Sequence, residues 1–554
     1  GKSLTAEVFG GWLRQDYRDA RLPDLSTWDV GATLDWVGKG GLRGSLRVDR
    51  SIEETTLGGS SAYILTSGRF TLRSDVGPRL SAGIGISGSN YDYIGAARSE
   101  FVIGGDLWAR YWLDRHFYVG ASFIHGERSS TAAGYDYDQN RFLISMGAEL
   151  RPHFALSAPR LAIGGAAPGG AYLGLLAGHG TLVTALDGPR GEGGNTADFG
   201  DHGAAAAAVA GYGFLAGSLY LGVEGEVGLS GPDWKHSSDR VFSIDRLHAA
   251  GISARLGWVT PFNDLIYGRV GLYSTEFHNR YAHSASYYSK ADRLTGLATG
   301  LGIETRAGRR GFVRAEYVAI AYNDIDVPTG GGNVDNFATS ETQFRFGGGI
   351  RFGAATPAAD KRAPIAFGGP YVGVQIGHGA LVTSNQGTRS EGTQLDVTRA
   401  SRGGLLGLYT GYGAAIGRAY LGLEAEGDAS AINWNIEREP TGRTYSAAHD
   451  WSFGGSARAG VLVADSALIY GRVGAIRTRF GIRYATDNVT VRSARTRTGV
   501  RYGGGLEIGI GGRARLRADY TVTDYAAYDL EYGRNVDHFD HTEALFRFGF
   551  TWRL

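Results

Sequence analysis

Histidine and aspartate come close together at Asp537-His538-Phe539-Asp540-His541, and His116 and His125 form a second pair of metal-capable side chains. A metal centre needs several ligands, each held in orientation by a partner behind it. The chain has no cysteine and shows no such partners, so these residues read as loop or strand-end side chains and no metal site is assigned. Ser237 beside His236 and Asp450 beside His449 are the raw material of hydrolytic pairs. Without an oriented third group they make no constellation, and no catalytic residue is assigned. The glycines of 503–512 are spaced loosely like a phosphate loop but fall in a strand hairpin with no following helix, and Asn488-Val489-Thr490 is a bare glycosylation pattern. No cofactor is expected.

A different set of charged residues does carry a pattern. Glu224, Glu226, Arg269, Arg314, Glu316 and Arg345 recur about 200 positions later as Glu424, Glu426, Arg472, Arg517, Asp519 and Arg547. Each lies in a segment of period two. Across 312–318, Phe312, Arg314, Glu316 and Val318 face one way and Val313, Ala315 and Tyr317 the other. Across 544–552, Phe546, Phe548, Phe550 and Trp552 alternate with Leu545, Arg547, Gly549 and Thr551. Such alternation marks strands with one apolar face. The opposite face mixes Arg with carboxylates among glycines and has almost no lysine, the residue that usually solvates a soluble surface. Buried charges need partners, so this composition predicts a barrel-interior charge network.

The elements that position these residues are themselves duplicated. "G-H-G-T-L-V-T" (178–184) returns as "G-H-G-A-L-V-T" (377–383), "Y-L-G-V-E-G-E" (220–226) as "Y-L-G-L-E-A-E" (420–426), and "L-I-Y-G-R-V-G" (265–271) at 468–474. The order is kept, so 170–353 and 369–554 are one unit present twice, and a period near 200 means whole domains. Ala/Pro/Gly-rich stretches at 154–169 and 354–368 read as linkers. Residues 1–153 form a third block with the same alternation, in which Leu42, Leu46 and Val48 oppose Arg43, Ser45, Arg47 and Asp49. The alanine run at 203–217 favours a helix on propensity. Its repeat partner, 403–417, is a Gly-punctuated strand, so both are expected as strands.

Composition narrows the class. The 89 glycines accompany only 13 prolines and 12% aromatic residues, which fits neither disorder nor collagen. A net charge of +1 with no basic stripe argues against nucleic acid. No window is apolar enough for a membrane-spanning helix. About eight strands are expected per block. Short connections such as 261–264 and 308–311 alternate with long polar connections at 185–202, 231–241, 323–335 and 429–446, which are expected as loops. Short turns at one end with long loops at the other are a pattern that belongs to transmembrane β-barrels.

The second and third blocks resemble bacterial outer-membrane β-barrel proteins of the small porin-family, OmpA/OmpX-like type. The resemblance is carried by "G-A-Y-L-G" and "G-P-Y-V-G" openings, "L-G-V-E-G-E", "V-R-A-E-Y" and an aromatic-alternating last strand. It implies a C-terminal signal read by the barrel-assembly machinery, matched here by Arg547, Gly549, Trp552 and Leu554. Internal copies occur at Arg345, Gly347, Ile350 and Phe352, and in part at Ser145, Gly147 and Leu150, where Pro152 departs from the pattern. The expected location is the bacterial outer membrane, with the mature form freed of its signal peptide.

The fold class expected is all-β: three tandem eight-stranded barrels over 1–153, 170–353 and 369–554, or one barrel of about 24 strands. The linkers and the self-balanced charge sets favour three, whose interiors would be filled by side chains rather than open to water. The function expected is a scaffold that packs the outer membrane and displays loops. Outer-membrane lipids and lipopolysaccharide, the assembly machinery and other envelope proteins or further copies would be its partners. The alternative is a porin for small solutes formed by one large barrel.

Overall fold

The computed structural model describes residues 3–554 except 18–23, 39–41, 56, 58, 59, 76–79, 97, 113–116, 133, 134, 136, 149–167, 191, 192, 217, 238, 239, 284, 285, 309, 331, 332, 353–364, 389–393, 439–442, 465, 487, 488, 512, 533 and 534. Among them every regular element is a strand, and every ladder is antiparallel. The alanine run of 203–217 lies almost wholly in a strand: its repeat partners alternate sides of a sheet, and that tertiary pairing overrides alanine's helical preference.

The chain forms two units, 1–161 and 162–554. In the first, β1 (Ser3–Gln15), β2 (Leu25–Val37), β3 (Arg43–Glu54), β4 (Ala62–Asp75), β5 (Leu80–Tyr93), β6 (Ser99–Trp112), β7 (Phe117–Ser130) and β8 (Tyr137–Ala148) pair in chain order. No ladder joins β1 to β8 among the described residues. Trp12 and Trp28 are direct cross-strand partners, edge to face at 4.7 Å between centroids, and both are exposed. Leu150, Pro152, the linker 154–167 and the linker residues 354–364 lie outside the described residues.

The second unit holds both repeats. The first contains β9 (Gly170–Arg190), β10 (Gly193–Ala216), β11 (Leu219–Ser230), β12 (Trp234–Ser237), β13 (Val241–Val259), β14 (Leu265–His283), β15 (Ser286–Ala307), β16 (Gly311–Tyr322), β17 (Ile325–Gly330) and β18 (Asn333–Phe352). The second contains β19 (Gly369–Thr388), β20 (Gln394–Ile416), β21 (Ala419–Ser430), β22 (Asn433–Arg438), β23 (Arg443–Ala464), β24 (Ala467–Thr486), β25 (Val489–Gly511), β26 (Ala514–Tyr525), β27 (Tyr528–Tyr532) and β28 (Asn535–Arg553). In each repeat the last long strand returns to its own first. β18 pairs with β9 from Asn336↔Asp187 to Phe352↔Ala171, and β28 with β19 from Asp537↔Gly387 to Arg553↔Tyr371. Each circuit of eight long strands therefore closes on itself; we call them the first and second rings.

The long polar stretches are corrected by this structure. Residues 185–202 belong mostly to β9 and β10, and 231–241, 323–335 and 429–446 contain β12, β17 and β22. A strand of 24 residues such as β10 spans ~80 Å at ~3.3 Å per residue, far more than a membrane-crossing strand of ~10 residues requires. Polar side chains outside the membrane cost nothing on either face, so the ladders simply continue past it.

At the opposite end the connections are short. Asn263 turns the chain between β13 and β14 with a left-handed φ of 66°. The end of the second linker is packed rather than free: Ile365 and Phe367 are buried against Tyr420, Leu468 and Tyr470 of the second ring. Above the charged layer, the first ring is filled by an apolar cluster that includes Trp234, Phe242, Phe277, Tyr281, Ile320 and Phe337.

Candidate functional site: the charged interiors of the two rings

The alternation of β11 places Leu221, Val223 and Val227 on the exposed outer face and Glu224 and Glu226 on the buried inner one. The same rule on β14, β16 and β18 turns Arg269, Arg314, Glu316 and Arg345 inward, and all six charged side chains are essentially inaccessible. Period two thus delivers the charges to the lumen, and the register sets their heights: Arg314 stands opposite Gly347 and Glu316 opposite Arg345.

Glu224 accepts hydrogen bonds from Arg314 Nη1 and Tyr172 Oη, each at 2.7 Å. Glu226 accepts from both terminal nitrogens of Arg345 at 2.7 and 3.1 Å and from Arg269 Nη2 at 2.8 Å. Glu316 accepts from Arg345 Nη2 at 2.6 Å, Arg269 Nη1 at 3.0 Å and Tyr267 Oη at 2.5 Å. Arg314 and Glu316, neighbours on one strand face, are 3.9 Å apart, so their closer partners lie on other strands.

The second ring repeats the plan. Glu424 accepts from Arg517 Nη1 at 2.7 Å and Tyr371 Oη at 3.0 Å. Glu426 lies 2.7 Å from both Arg472 Nη2 and Arg547 Nη1. Asp519 accepts from Arg547 Nη2 at 2.6 Å and Tyr470 Oη at 2.5 Å. Room for the inward tyrosines comes from glycines on neighbouring strands. A Cβ on Gly211 would lie 2.4 Å from Tyr172 Oη, and one on Gly411 2.5 Å from Tyr371 Oη.

Several members of the network were not singled out from sequence. Arg255 and Glu304, with their counterparts Arg458 and Glu507, complete the layer: Arg458 Nη2 donates to Glu507 at 2.9 Å, and Arg314 Nη2 to Glu304 at 3.2 Å. Their matching places in the two repeats were a usable signal. Tyrosine faces sit under the guanidinium groups, with Arg255 3.7 Å above Tyr267 and Arg517 3.5 Å above Tyr409. Further along each lumen Glu341 accepts from Arg246 Nε and Tyr322 Oη at 2.8 Å, while Glu543, which the sequence already places on the polar face with Arg547, meets His449 and Tyr525. The second ring adds Arg501 and Asp428, 3.4 Å apart, where the first has Ala298 and Gly228.

The assembly-signal residues fall on the closing strand β28. Arg547 and Gly549 face the lumen, Trp552 stands opposite Val372 and Ala514, and the Leu554 N–H donates to the Pro370 carbonyl at 3.0 Å. In the first ring Arg345 and Gly347 take the same places on β18. His236 and Ser237 lie on β12, whereas His449 points inward to Glu543 and Asp450 outward toward Arg479 at 3.5 Å. His449 and Asp450 thus lie on opposite faces of β23. Among the described residues no group of three or more His, Asp or Glu is placed to hold a metal ion.

Residues 1–150 match the family model "Putative beta-barrel porin 2", and residues 352–551 match "Outer membrane protein beta-barrel domain". The block between them, 170–351, lies outside both matches and is the sequence repeat of the latter. No curated protein sequence matches it. Similar solved structures include Ail, the attachment invasion locus protein of Yersinia pestis, at 14% identity over 32% of this chain and 99% of that one, with a TM-score of 0.18. The Pseudomonas putida toluene transporter TodX is 8% identical over 69% of this chain and 90% of its own, with a TM-score of 0.22. A Pseudomonas aeruginosa FadL homologue is 11% identical over 69% and 90%, with a TM-score of 0.24.

Proposed function

We propose that this outer-membrane β-barrel protein is a structural component of the bacterial envelope, built of three barrel blocks over 1–153, 170–353 and 369–554, whose two repeats do not conduct. The observation that carries the reading is the sealed lumen. In the first ring Arg255, Arg269, Arg314 and Arg345 and their carboxylate partners are buried in one mutually hydrogen-bonded layer, and an apolar cluster closes the space above it. A solute would have to break several charge-assisted hydrogen bonds and then cross packed aromatic rings. Lipopolysaccharide phosphate is the surface partner of this reading; the exposed cations that would meet it, such as Arg280, Lys290, Arg293 and Arg479, each lie beside a carboxylate whose place the phosphate would take.

A channel reading attaches to the first block alone, because it matches a porin model and its polar face is open to solvent. Arg69, paired to Asp106 at 2.6 Å, is 53% exposed. Planar-bilayer recordings of the full chain decide between the two. A silent membrane supports the scaffold. Steady conductance whose ion selectivity changes with Arg69→Glu assigns a pore to the first block, and conductance that changes with Arg314→Met overturns the sealed-lumen reading.

A further inference from the structure

The two rings meet through an outer face that the lumen does not use. His179, Phe344 and Tyr317 lie in one row across β9, β18 and β16, because Phe344 is the ladder partner of both His179 and Tyr317. His378, Phe546 and Tyr520 form the same row in the second ring. All six project outward, where lone polar groups facing lipid would be expensive. Each row finds its partner in the other. Tyr317 Oη lies 2.7 Å from His378 Nδ1, and Tyr520 Oη 2.5 Å from His179 Nδ1. Tyr317 stacks on Phe546 at 4.7 Å and Tyr520 on Phe344 at 4.8 Å, with Phe344 and Phe546 5.7 Å apart between them.

The reciprocity continues above and below this row. Val183 packs with Val382, its repeat counterpart, and with Ala400. The counterpart of Ala400 is Gly200, where an added Cβ would come within 2.7 Å of the Ala400 methyl carbon, so the absence of a side chain permits the approach. Beyond the lipid-facing zone each short strand stays paired within its own repeat, β12 to β13 and β22 to β23, and also bridges to the other. β12 of the first ring pairs with β20 of the second at His236↔Val397 and Ser237↔Asp396, and β22 of the second pairs with β10 of the first from Asn195↔Arg438 to Ala197↔Ile436. At the opposite end the equivalent β13–β14 and β23–β24 turns touch, with Ser466 Oγ donating to Asp264 at 2.7 Å.

We propose that residues 170–353 and 369–554 form an internalised two-fold dimer, each ring docked through the same outward His–Phe–Tyr patch and the same bridging rim strand. In such an isologous contact residue i of one half touches j of the other and j touches i, and the contact closes after two members. The patch is therefore a binding surface for one eight-stranded unit of the same kind, and once occupied it recruits no third. The hydrogen bonds and stacked rings replace contacts with lipid tails, which offer no hydrophobic drive for association. The linker keeps the halves together but does not create their interface.

The test uses the full chain in detergent, with a specific protease site inserted between Ala359 and Asp360 and an affinity tag at the C-terminus. After cleavage the N-terminal fragment is expected to co-purify with the tagged ring. The chain lacks cysteine, so Val183→Cys with Val382→Cys gives a clean second readout. On a non-reducing gel the cleaved protein should run at the uncut mass until reductant is added. Val223→Cys with Leu423→Cys, equivalent to each other but exposed on outer faces away from this contact, should not cross-link. Separation of the fragments on cleavage, no Val183–Val382 cross-link, or cross-linking of both pairs alike would each overturn the proposal.

Discussion

Replacing Arg314 by methionine tests whether the charged layer is sealed from water. Its guanidinium donates to Glu224 at 2.7 Å and to Glu304 at 3.2 Å, and is buried too deeply for solvent to substitute for either carboxylate. Methionine fills much of the same volume, so the effect reports charge rather than a cavity. Glu224 keeps the Tyr172 hydroxyl at 2.7 Å and the guanidinium groups of Arg255 and Arg269 at 3.4 Å, so the close 2.7 Å charge-assisted bond is lost without an equal replacement. Removing one partner of a buried pair costs ~3–5 kcal/mol, because the remaining charge stays desolvated. The control is Arg293→Ala, which breaks a 3.2 Å pair to Glu276 with the arginine side chain 64% exposed, and should cost ~0–1 kcal/mol. Adding Glu224→Gln to Arg314→Met should recover part of the loss, a coupling of ~1–3 kcal/mol, since the orphaned charge is removed. Equilibrium urea unfolding from lipid vesicles, followed by tryptophan fluorescence and by heat-modifiable gel migration, gives all of these values. If Arg314→Met costs no more than Arg293→Ala, water reaches the layer and the sealed-lumen reasoning fails.

Two further predictions concern the short β13–β14 turn of the first ring, which touches the second ring through Ser466. Burial raises the Asp264 carboxyl from 3.8 to about 6, although Thr305, Ser466 and Thr260 donate to it or lie close by. The folded chain holds this proton more tightly than the unfolded one. Its stabilising contribution is therefore complete below about pH 4 and is lost as pH rises through about 6, a change of ~3 kcal/mol. Unfolding measured across that window should show the decline in the native chain and a flatter profile in Asp264→Asn; equal slopes would refute the assignment. Asn263 occupies a left-handed conformation that β-branched residues avoid, so Asn263→Val should cost ~1–2 kcal/mol in the same assay while Asn263→Gly stays near neutral.

Some of this protein was determined by sequence alone. Alternation of period two makes a side chain's face a local property, so Arg314 and Glu316 had to share one side of β16 and Tyr317 the other. The duplicated motifs fixed two equal units for the same reason, since a repeat needs no tertiary knowledge to be seen. The missed members of the layer divide instructively. Arg255 and Glu304 were recoverable from their counterparts Arg458 and Glu507. Arg501 and Asp428 were not, because Ala298 and Gly228 hold their places in the first ring. The reading of 185–202 as a loop failed because polar residues can extend a ladder beyond the membrane, where only pairing partners decide whether a strand continues.

What tertiary structure alone decided is who stands next to whom. The seam of the first ring joins β9 to β18, segments separated by most of a repeat, and no local pattern records that ladder. Which inward carboxylate receives which guanidinium follows from that register. The outward row His179, Phe344 and Tyr317 carries the same alternation as its lipid-facing neighbours. Only the placement of a second ring against it turns those residues from membrane surface into interface.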